Sequence, residues 1–508
     1  MEEQPAVTSR HVARGVGTTL LARIGGGIEG VSQPLYVWMF GLASFGLYTV
    51  LWAAINLFEN IFDLGMTAAL QRTVPQARDE KEAARSLRAA LILGVGPNLL
   101  VAAIATIFAP QIAPFLNVAA KDEALVVPAI QLFIWALPLW AFVEIATSAL
   151  RARHLFGPEI RLRIVWEQII RLILATTFFA LGLGLAGLFI AHMISLAITV
   201  LLSFRLLYRH YDLKTTFGRG DPKSRMFGET FKAGLSALPY NMVARLFGDA
   251  PSIVLNLMLP GAVGASAAAL YMIARKISSL VQLVRVAFSY VLAPLASSAA
   301  RQDKSHVGAL YGFATRIMTA IVLPLALVMA GGAMPILGLF GNTADQARGA
   351  VVILLLARAV ETVIGGAQPV LQVVSGYGRQ IVASAIGLLA AIAIGFVLVP
   401  MAPLTGMATS VGIGLIVAGF IPLVQLHVHD NLHPFSDGFT RVLLTAALVS
   451  VPALVLTLLV SALPDALSLP LVAIIAMGAI WCSGRLALPE ADRRSLGKTA
   501  RKLRLIKA

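Results

Sequence analysis

The chain is 508 residues long, 58% hydrophobic and 13% charged, with a mean hydropathy of +0.83. That composition excludes an ordinary soluble domain, because no soluble core needs so much apolar surface. The formal charge of +15 would suit a nucleic acid or a membrane surface, but its meaning depends on where the charges lie.

Stretches of about 18 or more apolar residues recur along the whole chain, and each reads as a transmembrane helix. The sequence predicts fourteen spans, at 14–40, 46–70, 87–109, 124–150, 163–183, 187–208, 232–258, 264–297, 310–333, 348–374, 381–400, 405–427, 439–462 and 467–488. A polar MEEQPAVTSRHVAR precedes the first run, which holds Arg23 and no small-residue cleavage site; it reads as an uncleaved span rather than a signal peptide.

Each charge inside a span asks for a reason, since a charge at mid-bilayer costs about 2.5–3.5 kcal/mol on insertion scales. Span 1 carries Arg23 and Glu29 around GGG, where missing side chains admit a backbone or a ligand. Span 2 ends in NLFENIFDLG, which supplies Glu59, Asn60 and Asp63; Asp63 either caps the helix end or pairs with Arg72. Spans 4 and 5 add Glu144, Glu167 and Arg171, and span 7 places Arg245 and Asp249 at i,i+4, close enough to pair.

Span 8 carries three cations, Arg275, Lys276 and Arg285. On a helical wheel Ser279 and Gln282 fall within about 40° of Arg275 and Arg285 about 80° away, which makes one polar stripe with Lys276 at its margin. At a 1.5 Å rise per residue Arg275 sits roughly 16 Å from the span's start, near mid-bilayer. Arg285, near the other end, either snorkels to water or joins the stripe. Span 10 carries Arg358 and Glu361 at i,i+3, with Gln368 and Gln372 further along a similar face.

The connections alternate in charge. QRTVPQARDEKEAARSLR, RARHLFGPEIRLR, the Arg205–Lys232 loop, ARQDKSHVGALYGFATR and the C-terminal tail are basic. The intervening turns, such as GLASFG, GLGLAG and LPDALS, are nearly free of Lys and Arg, Lys121 and Arg348 excepted. The positive-inside rule then puts both termini in the cytoplasm, so the excess charge is mainly a topology signal and a nucleic-acid role has nothing specific behind it. The tail could also rest on anionic lipid. Its LGKT is not a phosphate-binding loop, because Asp492 stands where the first glycine belongs and no strand precedes it.

The first six spans and the next six look like copies at an offset of about 220 residues. Arg23 precedes Tyr48 as Arg245 precedes Tyr271, while Leu150, Gly157, Ile160 and Gly187 line up with Leu371, Gly378, Ile381 and Gly406. Six spans is an even number, so the copies run in the same orientation, a parallel repeat. The expected fold is therefore all-α and polytopic: an N-lobe at 1–215, a C-lobe at 216–432, a central cavity between the lobes, a helix pair at 433–488 and a basic tail at 489–508.

Cys482 is the single cysteine, so no intrachain disulfide and no cysteine metal site exist. His427, His429 and His433 lie in one predicted loop near Asp430, but without a catalytic motif such as H-E-x-x-H they read as a solvated loop, not a metal site. The residue types otherwise suit two jobs. Arginine and lysine suit a phosphate-bearing ligand, and buried carboxylates suit proton or Na⁺ coupling.

The FGLYTV stretch (Phe45–Val50), DLGMTAALQR (Asp63–Arg72), the LFGPEI turn and the two-times-six layout carry a resemblance over nearly the whole chain. The chain resembles the polysaccharide-biosynthesis flippases (Wzx-type) of the multidrug/oligosaccharidyl-lipid/polysaccharide superfamily. The resemblance implies a non-enzymatic transporter of a bacterial inner membrane, used in cell-surface polysaccharide synthesis such as that of lipopolysaccharide or exopolysaccharide. It would move a polyprenyl-pyrophosphate-linked oligosaccharide across the bilayer by alternating access, as a monomer among membrane lipids and other assembly enzymes. It implies a cationic cavity for the pyrophosphate and sugar, to which Arg23, Arg245, Arg275, Lys276, Gln282, Arg285 and Arg358 are candidates. Glu29, Asp63, Asp249 and Glu361 are the candidates for ion coupling. No cofactor other than a coupling H⁺ or Na⁺ is expected. A drug antiporter of the same superfamily, a lipid II flippase and a polytopic polysaccharide polymerase or ligase are the alternatives.

Overall fold

The computed structural model describes residues 27–505 apart from 156, 158–159, 219–224, 301–303, 365, 376, 436–437, 497–499 and 502–503. The described residues are helical almost throughout, with no strand among them. Eighteen of these helices matter here: α1 Gly27–Phe40, α2 Leu42–Phe62, α3 Met66–Thr73, α4 Glu80–Ile107, α5 Glu123–Phe133, α6 Ala136–Ala152, α7 Glu167–Ala180, α8 Gly184–His210, α9 Arg225–Met258, α10 Gly261–Ala300, α11 Lys304–Gly331, α12 Arg348–Ile364, α13 Ala367–Ser375, α14 Tyr377–Met401, α15 Pro403–Asp430, α16 Phe439–Val460, α17 Asp465–Leu486 and α18 Glu490–Ser495.

Ten helical spans among the described residues are long and apolar enough to cross a membrane. The protein is therefore a multi-pass membrane protein. The expected spans not among the ten are the first, fifth, seventh and tenth. Of the first, residues 14–26 lie outside the described residues, and the described part is the 14-residue α1. For the fifth, a π-helical turn at Ile160–Trp166 precedes the 14-residue α7. For the seventh, α9 is 34 residues long, but Arg245, Asp249 and two prolines interrupt its apolar run. The tenth divides into the 17-residue α12 and the 9-residue α13. Predicted span 4 likewise bends between α5 and α6, at Ile134 and Trp135.

The chain forms two compact units, Arg23–Met272 and a second that runs from Ile273 to Ala508; α10 passes from one into the other. In the first unit α9 packs along α2, α3 and α4, and α6 packs on α4 and α8. The DLGMT stretch explains its own shape. The Asp63 carboxylate accepts from the Thr67 amide at 3.3 Å and hydroxyl at 3.2 Å, which caps α3. Gly65 adopts φ +73°, the left-handed conformation the sharp turn requires, and a side chain there would strike the backbone of Gly234 on α9. Two glycines thus let two helices cross with their backbones close together.

At the opposite end of this unit Asn117 and Asn256 form a reciprocal clasp. Asn256 Nδ2 donates to the Asn117 carbonyl at 2.7 Å, and Asn117 Nδ2 donates to the Asn256 carbonyl at 2.8 Å. The turn into α10 joins it, with the Gly261 amide on Asn117 Oδ1 at 3.0 Å.

In the second unit α14 and α15 form a hairpin on α12 and α13, while α11, α16 and α17 pack together. Gly187 and Gly406, matched by the sequence repeat, do the same job: at each a Cβ would meet the preceding helix, at Phe178 in one case and Leu398 in the other. The histidines of the predicted loop are placed differently from expectation. His427 and His429 lie in the last turn of α15, which Asn431 ends in the left-handed conformation. Basic side chains suit that helix end, where orphan carbonyls point outward.

Candidate functional site

In the second unit the stripe on α10 meets α12 and α13. Glu361 is buried, at 4% side-chain exposure, and holds two arginines. Arg358 Nη1 reaches one carboxylate oxygen at 2.7 Å, and Arg285 Nη2 reaches the other at 3.1 Å. Arg285 Nη1 also donates to Gln368 Oε1 at 3.1 Å. Arg285 is thus tied across to two helices and does not snorkel. One carboxylate between two guanidiniums leaves the trio with one positive charge in excess.

Arg275 and Lys276 lie higher on the same helix and are half-buried. Ser278 and Ser279 return their hydroxyls to the carbonyls of Arg275 and Lys276, at 2.9 Å and 2.6 Å. That removes two polar groups from the stripe and leaves its cations as the dominant chemistry. Gln282 is half-buried on the same helix. Along α10, α12 and α13 the sequence offers Arg275, Lys276, Arg285 and Arg358 against one acid, Glu361, with Arg348 apart from them at the exposed start of α12. Such a surface favours a compact polyanion, because guanidinium forks match phosphate oxygens in pairs.

The first unit is built otherwise: three of its arginines lie in mixed pairs. Arg163 grips Glu144 with two bonds, at 2.6 Å and 3.0 Å, and lies over the Trp140 ring. Arg171 pairs with Glu167 at 3.2 Å. Arg245 approaches Asp249 at 3.9 Å, with the arginine 37% exposed and the aspartate 3%. Asp63 serves the α3 cap, not Arg72, and Glu59 is buried nearby on α2. Of the remaining candidates, Arg23 lies outside the described residues. Glu29 belongs to α1, and its side chain is outside the described set. Among the described residues no cluster of His, Cys, Asp and Glu is arranged to hold a metal ion.

The polysaccharide biosynthesis protein family matches residues 12–300, more than half of the chain. The chain belongs to this family. Among solved structures, this polysaccharide biosynthesis protein is similar to the lipid II flippase MurJ in an inward closed conformation, with a TM-score of 0.74 and 12% identity. The match covers 92% of this chain and 97% of that one. An inward-facing multidrug resistance MATE family transporter of the MOP superfamily gives 0.60 at 15% identity, over 84% and 94%. A MOP superfamily transporter from Pyrococcus furiosus, described as having a binding pocket of reverse polarity, gives 0.59 at 16%, over 84% and 97%. No curated protein matches by sequence. At these identities the likeness establishes the fold, which is that of the multidrug/oligosaccharidyl-lipid/polysaccharide superfamily of transporters.

Sequence reasoning missed one polar centre of this family member, His192 on α8. It is fully buried and bonded to Tyr48 and Arg171. The signal was present: an ionisable side chain inside an apolar run of 27 helical residues asks for a partner as an arginine does.

Proposed function

We propose that this protein is a flippase for a polyprenyl-pyrophosphate-linked oligosaccharide, carried from the cytoplasmic to the outer leaflet of a bacterial inner membrane by alternating access. The observation that carries this reading is the uneven charge of the second unit, where the α10 stripe, α12 and α13 set Arg275, Lys276, Arg285 and Arg358 against Glu361. A diphosphate is the group on such a lipid that can answer that excess. Family membership and the flippase-like fold support the same cargo class. The basic connections support an orientation with both termini in the cytoplasm. The protein works as a monomer without a chemical step, supplied by the enzymes that build the lipid-linked glycan, and a proton or Na⁺ gradient drives the cycle.

A multidrug antiporter is the rival, favoured by the MATE-like fold and by the mixed charges of the first unit. Proteoliposomes decide between them. Translocation of a polyprenyl-pyrophosphate oligosaccharide is measured beside efflux of a lipophilic dye cation, under imposed proton or Na⁺ gradients. Glycolipid movement without dye movement is expected, with loss of it in Arg275→Ala at normal expression and folding. Dye efflux alone would overturn the reading. Normal translocation by Arg275→Ala would remove that residue from the cargo site.

A further inference from the structure

The first unit holds a polar cluster that the cargo reading does not use. His192 is 0% exposed. From α2, Tyr48 Oη lies 3.0 Å from His192 Nδ1. From α7, Arg171 Nη1 lies 3.0 Å from Nε2, 3.3 Å from Nδ1 and 3.2 Å from Tyr48 Oη. Behind it, Arg171 Nη2 contacts Glu167, itself 1% exposed. Aromatic rings wall the imidazole: Trp52 at 4.4 Å between centroids and Phe133 on α5 at 5.0 Å, with Trp140 on α6 behind Trp52 at 5.3 Å. Among the described residues, the charged groups facing the ring are Arg171 and, one step removed, Glu167.

The donor inventory fixes the charge of the ring. A guanidinium has donors only, so the imidazole it faces must keep one nitrogen lone pair. Arg171 Nη1 faces both ring nitrogens, and Tyr48 Oη, which can donate or accept, meets Nδ1 in either tautomer. Adding a second proton to the ring would remove its last lone pair and set two positive charges side by side in a dry site. A proton and Arg171 therefore exclude each other at this ring. When a proton from water occupies the second nitrogen, Arg171 must withdraw from the ring. It keeps its charge and its partner Glu167, four residues before it on the same helix. One cation is exchanged for another at the imidazole, so the change requires movement between α7 and α8.

We propose that Tyr48, Glu167, Arg171 and His192 form a proton-binding site in which a proton on His192 competes with the Arg171 guanidinium. Its use in driving transport rests on the transporter reading above; the binding itself does not. The site differs from Asp63, Asp249 and Glu361, whose carboxylates serve a helix cap or ion pairs.

Trp52 supplies a probe, because a protonated imidazole against an indole quenches its emission. The full-length protein in lipid nanodiscs is titrated from about pH 9 to pH 4 and tryptophan emission is followed. A reversible quenching step is expected that His192→Gln and Trp52→Phe each remove. Arg171→Gln, which takes away the competitor, raises the apparent proton affinity about tenfold or more, whereas Arg171→Lys, which keeps the charge, raises it less. Superimposable titrations of wild type and His192→Gln would overturn the proposal. If His192→Gln does not fold, an Arg171→Gln step at the wild-type position would overturn it equally. A protein that shows the step but moves no glycolipid leaves this site standing and removes the transport reading.

Discussion

Glu361 gives the sharpest test of the second unit, because one carboxylate serves two arginines. Glu361→Ala strands both Arg285 and Arg358, whereas Arg358→Ala leaves Glu361 its 3.1 Å contact with Arg285. Breaking a buried pair by removing one partner costs about 3–5 kcal/mol, mostly because the surviving charge is left uncompensated. The stranded charges rank the variants: two for Glu361→Ala, at the upper end of that range or above, and none fully stranded for Arg358→Ala or Arg285→Ala, at the lower end or below. The Glu361→Ala/Arg358→Ala double mutant then loses less than the sum of the singles, with a coupling of about 1–3 kcal/mol. Thermal unfolding of purified protein, with ligand-free and pyrophosphate-containing samples side by side, reads both the order and the coupling. The isosteric Glu361→Gln adds a functional arm. It removes the carboxylate that competes for the arginine forks, so pyrophosphate stabilises this variant more than wild type. If Glu361→Ala is no more destabilising than Arg358→Ala, the carboxylate is not the hub. If Glu361→Gln gains nothing from pyrophosphate, the arginines are structural and not available to an anion.

Two further expectations concern contacts made by segments that follow the spans, Tyr211 and α18. Tyr211, just after α8, donates to the Ala149 carbonyl at 2.9 Å and lies under the Arg153 guanidinium. Burial pushes its phenol above the usual range, with the Arg153 hydrogen bond and charge opposing. The folded state therefore holds this proton more tightly than the unfolded chain. The contribution is complete below about pH 10 and is lost as pH rises through the folded value. Tyr211→Phe lacks that alkaline loss and is less stable by about 1 kcal/mol at neutral pH, both measurable by unfolding at a series of pH values. In the second unit Arg316 on α11 grips Asp492 on α18 through two bonds, at 2.6 Å and 3.0 Å. Arg316→Met strands the aspartate at a cost of about 3 kcal/mol, so α18 opens about a hundredfold more often. Trypsin then cuts at Arg493 or Arg494 faster in the variant; unchanged cleavage would mean that the ion pair does not hold the C-terminal segment.

The fold was legible where apolar runs were long and clean. α4, α8, α14, α15, α16 and α17 follow the predicted spans within a few residues at most ends, because lipid demands both a length and a composition. At two spans that also carried charge, the fifth and the tenth, the helix is not continuous as the sequence suggested. α12 and α13 are two helices at a glycine pair where one span was expected, and α7 begins only after a π-helical turn that carries Arg161 and Arg163. The pairs at i,i+3 and i,i+4 were visible because both partners lie on one helix. The contact of Arg285 with Glu361 crosses between helices 76 positions apart in the chain, and no periodicity announces it. His192 was missed for the opposite reason. It looks like an interruption of a hydrophobic run, and its partners Tyr48 and Arg171 come from two other helices.

The distribution of partners bears on how the charges can be used. Arg171 with Glu167, Arg245 with Asp249 and Arg358 with Glu361 each find a carboxylate on their own helix. Such pairs travel together into the membrane, and their net charge is zero before any tertiary contact forms. α10 has no acid anywhere along its 40 residues. Arg275, Lys276 and Arg285 therefore enter uncompensated by their own helix, and Glu361, already committed to Arg358, is shared with Arg285. A helix that needed its cations only for packing would more cheaply carry one neutralised pair, as its neighbours do. On the proposed function, three cations with no acid on their own helix suit a cargo that brings negative charge. The cation excess of α10 thus supports the proposed diphosphate-bearing cargo over a lipophilic cation.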